Sequence, residues 1–158
     1  MGWLEEKMPP ETDRPGLIHN DFKFDNVVLD PDNPLNIIGV LDWEMATLGD
    51  PLMDLGASLA YWVEQSDAAG FQAMRMMPTN ADGAPTRAEV VARYAARSGL
   101  EIGDFSFYYC YGLFRLAGIV QQIYYRSYHR QTEDPRFKNL NLWVSVLAEA
   151  AENVIRSF

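Results

Sequence analysis

Leu17-Ile18-His19-Asn20-Asp21-Phe22-Lys23-Phe24-Asp25-Asn26, answered downstream by Gly39-Val40-Leu41-Asp42-Trp43-Glu44, is the stretch on which the fold turns. Pro15-Gly16 introduces the short apolar run Leu17-Ile18-His19, which reads as a strand. A polar loop from Asn20 to Asp25 leads into a second strand, Val27-Val28-Leu29. The turn formers Asp30-Pro31-Asp32-Asn33-Pro34 then separate it from a third, Ile37-Ile38-Gly39-Val40-Leu41. Strands joined so closely predict an antiparallel hairpin. A reversal near Asn33 to Leu35 makes paired residue numbers sum to about 68, since antiparallel register follows from the turn. Asn26 then stands opposite Asp42, and Asp21 hangs in the loop that enters the same open end.

An amide oxygen and a carboxylate meeting in this way suit a hard divalent cation such as magnesium. That ion takes few protein ligands and completes its shell with phosphate and water. A carboxylate outside the metal's shell can accept the proton of a nucleophilic hydroxyl. Metal, positioning group and attacking oxygen are the inventory that phosphoryl transfer requires.

Beyond the hairpin the chain turns helical. Residues through Lys7 read as the end of a helix, stopped by Met8-Pro9-Pro10. Asp50-Pro51 is a start signal: Asp50 caps free amides, and Pro51 takes the first helical position without losing a bond. This helix is expected to run to Val63. Ser66 to Pro85, rich in Gly, Asp, Asn, Pro and Met, reads as an irregular connection with one short helix. Thr86 with Glu89 forms a capping box opening a helix that Gly99 closes. A long aromatic helix spans Asp104 to Tyr128, and after a polar loop from His129 to Lys138 a last helix carries Leu140, Trp143, Leu147, Ala150 and Val154 on one stripe. A few strands followed by helices argue an α+β fold, with a helical bundle packed beside a small antiparallel sheet.

Composition narrows the function. The 158 residues fit one domain, 1–158, and 48% of them are hydrophobic, which excludes a disordered polymer. A net charge of −9 with scattered cations argues against a nucleic-acid partner. Phe105 to Tyr125 is long enough to span a bilayer, but Arg115, Gln121 and Gln122 are expensive in hydrocarbon, so a buried helix and no membrane partner are expected. Arg115 within that helix calls for a partner, an internal ion pair ahead of the alternative of substrate binding. The single Cys110 forms no internal disulfide and reads as a buried small hydrophobe. The N-terminus has no signal-peptide pattern, which makes the cytoplasm the default compartment.

His19-x-Asp21 followed by four residues and Asn26 resembles the catalytic loop shared by protein kinases and the aminoglycoside phosphotransferase family. Leu41-Asp42-Trp43-Glu44 resembles that family's metal-binding segment. Thr47-Leu48-Gly49-Asp50-Pro51-Leu52-Met53-Asp54-Leu55 is similar to the segment that follows it, particularly in the phosphotransferase domains associated with acyl-CoA dehydrogenases. Phe114-Arg115-Leu116-Ala117 extends the likeness more loosely. The resemblance implies the C-terminal lobe of a protein-kinase-like fold, with Mg2+ and ATP as cofactors and a small hydroxyl compound as acceptor. It makes Asp21 the catalytic base, or the group that positions the acceptor hydroxyl, and Asn26 and Asp42 the magnesium ligands. Lys23 stands where many protein kinases contact the transferring phosphate; the alternative is a solvated surface lysine. His19 is expected to support the loop by hydrogen bonding, Asp54 to brace it, and Asp50 only to cap its helix. Glu44 is either a support behind the metal or a surface carboxylate.

Kinase-like folds hold ATP with an N-terminal lobe. Here eighteen residues precede His19, and no Gly-x-Gly-x-x-Gly or Walker-type loop occurs. The expectation is therefore a catalytic lobe without its nucleotide lobe, which exposes apolar surface and invites self-association. The alternative is an inactive lobe serving as a binding module. A metal-dependent hydrolase using Asp21, Asp42 and Glu44 is a weaker third reading, since no histidine-rich ligand set accompanies them.

Overall fold

The computed structural model describes residues 2–158. After a first helix α1 (Gly2–Glu6) come four short strands, β1 (Gly16–Ile18), β2 (Val27–Leu29), β3 (Ile37–Val40) and β4 (Thr47–Gly49). Five helices follow: α2 (Pro51–Leu59), α3 (Ala69–Ala73), α4 (Arg87–Ser98), α5 (Ser106–Tyr128) and α6 (Leu140–Ser157). The fold is α+β, with strands and helices segregated along the chain.

The strands form two antiparallel pairs. β2 and β3 make the expected hairpin, but its register differs. Val27 faces Val40 and Val28 faces Gly39, then an irregularity after Val28 sets Leu29 against Ile37. The reversal closes on Asp30 and Asn36, whose amide and carbonyl bond at 2.8 Å. The turn is thus centred earlier than the sequence suggests, and the bulge restores only part of the offset. Asn26 lies opposite Leu41, whose N–H donates to the Asn26 carbonyl at 2.8 Å, and Asp42 is the next residue along.

β4 is the unforeseen strand. It pairs with β1 through Gly16–Gly49, Leu17–Leu48 and Ile18–Thr47. Gly49 gives the pair room, because a Cβ there would sit 2.7 Å from Cδ1 of the buried Ile18 and oblige that side-chain tip to shift. This pairing draws the segment after β3 alongside the loop after β1.

Asp50 caps α2, accepting from the Leu52 amide at 2.8 Å. The helix ends at Leu59 instead of Val63: Tyr61 N–H bonds Ser58 and Trp62 N–H bonds Leu59, a tightened i→i+3 turn. The Thr79 hydroxyl then takes over both backbone groups of Val63, at 3.0 and 2.9 Å. α2 crosses α5 at backbone contact, where a Cβ on Gly56 would lie 2.2 Å from the Tyr108 carbonyl oxygen. One on Gly112 would lie 2.1 Å from that of Gly56. α5 and α6 carry the main core, with Leu113, Leu116 and Val120 packed on Leu140 and Leu147. Thr86 and Glu89 complete the capping box of α4, and Gly99 ends it at φ 69°. Among the described residues, no helix is long and apolar enough to cross a membrane.

Candidate functional site

The loop between β1 and β2 is held from three sides. From α2, the Asp54 carboxylate accepts the backbone N–H of His19 at 2.7 Å and that of Asn20 at 2.8 Å. Asp54 lies in the first turn of its helix, where the free N-terminal amides favour negative charge. From the segment after β3, the Met45 carbonyl accepts from the Asn20 side-chain amide at 3.0 Å. Asn20 takes a left-handed backbone at φ 64°, a conformation that asparagine tolerates better than most residues.

The third tether is His19, buried and packed on Trp43 with ring centroids 4.8 Å apart. Its Nδ1 accepts the Asp21 N–H at 3.2 Å, and its Nε2 lies 2.7 Å from the Leu41 carbonyl oxygen. A backbone donor on one nitrogen and a backbone acceptor on the other fix the tautomer with the proton on Nε2. The imidazole therefore spans the loop and the end of β3 and has no nitrogen left over.

These tethers aim the side chains that follow. Lys23 Nζ donates to Asp21 Oδ2 at 2.6 Å, in a pair whose side chains are 18% and 16% exposed. The Asn26 amide donates to the Asp21 carbonyl at 2.8 Å and to its Oδ2 at 3.2 Å. Both partners are acceptors only, so the amide nitrogen must face Asp21 and the amide oxygen must face away. That oxygen accepts no hydrogen bond among the described residues, nor do the carboxylate oxygens of Asp42. Asp42 is exposed and left-handed, at φ 62°, as it opens the turn Trp43–Met45. An amide oxygen and a carboxylate without protein donors, at one end of the hairpin, are a donor set that fits a hard cation.

One contributor escapes a reading of the sequence. Tyr61, in the turn after α2, donates its hydroxyl to Asp21 Oδ1 at 3.3 Å. Its ring lies 5.2 Å from the Lys23 ammonium. Burial, then the charge and hydrogen bond of Asp21, push the Tyr61 phenol far above its ordinary range. No local motif marks this residue; only the packing of α2 places it.

Arg115 departs from expectation. Among the described residues it has no carboxylate partner, and its guanidinium instead lies 3.6 Å from the Met45 sulfur. From α5 it thus reaches the segment after Asp42, at a thioether. The internal ion network belongs to Arg87, which bonds Asp67 at 2.7 and 2.8 Å and Glu64 at 3.3 Å, over the Tyr109 ring. Cys110 is buried, and burial raises its thiol pKa, as suits a small hydrophobe. Glu44 is exposed.

Beside the loop opens a cleft of about 400 Å³ between β1, α2 and α4. Leu17, Phe22, Phe24, Leu59 and Trp62 make its walls largely apolar, and Lys23 and Asp54 reach its edge.

Comparison with known proteins shows the family and the fold. A family model described as "Phosphotransferase enzyme family" matches residues 1–101. The chain is 32% identical over 151 residues to acyl-CoA dehydrogenase family member 10 of Mus musculus, covering 94% of this chain and 14% of that protein. It is 32% identical over 127 residues to acyl-CoA dehydrogenase family member 11 of Homo sapiens, covering 78% of this chain and 16% of that protein. A crystal structure from Ralstonia eutropha, assigned as an aminoglycoside phosphotransferase, superposes with a TM-score of 0.80 at 28% identity. The match takes in 99% of this chain and 47% of the other. The chain thus spans about a seventh of the length of the curated relatives and about half of the solved structure.

Proposed function

The chain belongs to the phosphotransferase enzyme family, and from that premise we propose that it is the catalytic lobe of an ATP-dependent kinase acting on a hydroxyl of a small metabolite. The observation that carries the reading is the Asp21 carboxylate, held by Lys23, Asn26 and Tyr61 on a loop that Asp54 and His19 fix in place. A preoriented carboxylate is what acceptance of a proton from an attacking hydroxyl requires.

In this reading Asp21 orients the acceptor hydroxyl and takes its proton as the oxygen attacks the γ-phosphorus. The new O–P bond forms as the bond to the ADP oxygen breaks, and Asp21 later releases the proton to water. Lys23 offers a positive charge to the phosphoryl oxygens. Asn26 and Asp42 would hold magnesium, which when bound supplies charge neutralisation on the nucleotide phosphates. His19 and Asp54 act on backbone only, keeping Asp21 in register. The cleft beside Phe22 and Phe24 is of a size to admit the body of a small acceptor.

Phosphorus NMR of the full-length protein with magnesium-ATP and a panel of hydroxyl compounds tests the reading. A new phosphomonoester resonance appearing with ADP supports it. ADP released with inorganic phosphate alone, across the panel, contradicts it.

A second reading, a lobe that binds partners, draws support from exposed apolar side chains on the strands and on the hairpin turn. Leu35 is 95% exposed, Leu48 78% and Leu17 66%. We infer that this surface mediates self-association of the isolated chain.

A further inference from the structure

We propose that Tyr61 is a positioning residue for phosphoryl transfer, its phenol fixing Oδ1 of Asp21 while Lys23 and Asn26 take Oδ2. The proposal rests on the reading of Asp21 as the group that engages the acceptor hydroxyl. A carboxylate on a rotatable bond presents either oxygen at many angles, and a base tethered at one oxygen only still swings. Here the tethers come from both sides. Lys23 at 2.6 Å and Asn26 at 3.2 Å converge on Oδ2, and the Tyr61 hydroxyl at 3.3 Å meets Oδ1. The remaining lone pair on Oδ1 is then the one directed at the acceptor, and the angle of attack is set by the phenol.

The tyrosine is itself built into place. Its backbone N–H bonds the Ser58 carbonyl in the tightened turn that ends α2, and its ring packs against the core shared by α5 and α6. The ring also carries the Lys23 ammonium on its face. The charged groups around the phenol are Asp21 and Lys23 from the loop and Arg115 from α5. One aromatic residue therefore touches both members of the Asp21–Lys23 pair. Asp54 lies in α2 and Tyr61 in the turn that ends it, so this one segment sets the loop backbone at one end and its key side chain at the other.

The test is made on the full-length protein with the acceptor found active. Tyr61→Phe keeps the ring and removes only the hydroxyl. It is expected to lower kcat about tenfold, in the range that a lost positioning contact gives, with nucleotide KM within twofold and Tm essentially unchanged. Unaltered kcat in Tyr61→Phe, beside a collapsed kcat in Asp21→Asn, would overturn the proposal and leave the reading of Asp21 intact. Full activity in Asp21→Asn would instead remove that reading, and this inference with it. A second arm needs no turnover. With tyrosines labelled at Cζ and Tyr61 identified by its loss in Tyr61→Phe, its resonance should titrate at lower pH in Asp21→Asn than in the unaltered chain. Identical titration in both would show the contact absent in solution and overturn the proposal by itself.

Discussion

Asp54 is the side chain on which the loop most depends, because its two oxygens satisfy two consecutive backbone amides. Hydrogen bonds to a charged acceptor contribute about 1.5–3 kcal/mol each. Asp54→Ala is therefore expected to destabilise the chain by about 3 kcal/mol, read as a lower urea midpoint at constant slope. Asp54→Asn, which keeps one acceptor oxygen, should lose less. Tyr61 and Tyr109 make a second prediction at this scale. Burial dominates both upward shifts, with Tyr109 pushed up to about 12. Below the ordinary tyrosine value near 10 both folded and unfolded chains keep these protons, so stability is unaffected. Above it the unfolded chain releases them and the folded chain does not, so stability falls as pH rises. Denaturation between pH 8 and roughly 11.5 should show that loss, at up to about 1.4 kcal/mol per pH unit per tyrosine. Tyr61→Phe and Tyr109→Phe should each flatten it.

The crossing of α2 on α5 joins the site to the core, and it exists because two glycines let backbone meet backbone. An alanine at Gly56 or Gly112 would drive a methyl group to within 2.2 Å of a carbonyl oxygen. Either substitution is expected to cost about 3 kcal/mol or more, above the usual range for overpacking because backbone cannot step aside. Gly118 is the internal control: it lies in the same helix with open space where its Cβ would be. Gly118→Ala should raise stability by about 0.5–1 kcal/mol. If all three raise the Tm alike, the glycines act through helix propensity only and the crossing does not need them. This contact was not legible in the sequence, since nothing local distinguishes Gly56 and Gly112 from Gly118. The caps were legible, because Asp50-Pro51, Thr86 with Glu89, and Gly99 each act on their own helix. β4 escaped because three residues pair only with a strand far earlier in the chain. The hairpin itself was read correctly, and its register was not, because the run of turn formers from Asp30 to Pro34 does not mark where the reversal centres, and it closes earlier, on Asp30 and Asn36. Asp21, Lys23 and Asn26 fall within one short motif and could be picked out together. Tyr61 reaches Asp21 from forty residues away and could not.

At the scale of the whole molecule, two facts stand together. The chain matches 47% of the solved structure it resembles, and its strands present large apolar side chains to solvent. Removing such surface from water is favourable at about 25 cal/mol per Å², so contact between copies is expected for the isolated chain. Size-exclusion chromatography with light scattering should find an oligomer that Leu35→Glu with Leu48→Glu returns to monomer; a clean monomer without those changes would contradict it. The central claim, however, is the proposal that Asn26 and Asp42, at the open end of the hairpin, hold magnesium while Asp21 receives the proton of the acceptor hydroxyl. The most direct test is the magnesium dependence of phosphoryl transfer in the full-length protein and in its Asp42→Ala variant. Loss of at least about a thousandfold in turnover at every magnesium concentration, with the melting temperature retained, is the predicted result, consistent with a ligand contributing several kcal/mol to charge stabilisation. Magnesium-dependent turnover that survives Asp42→Ala unchanged would contradict the account.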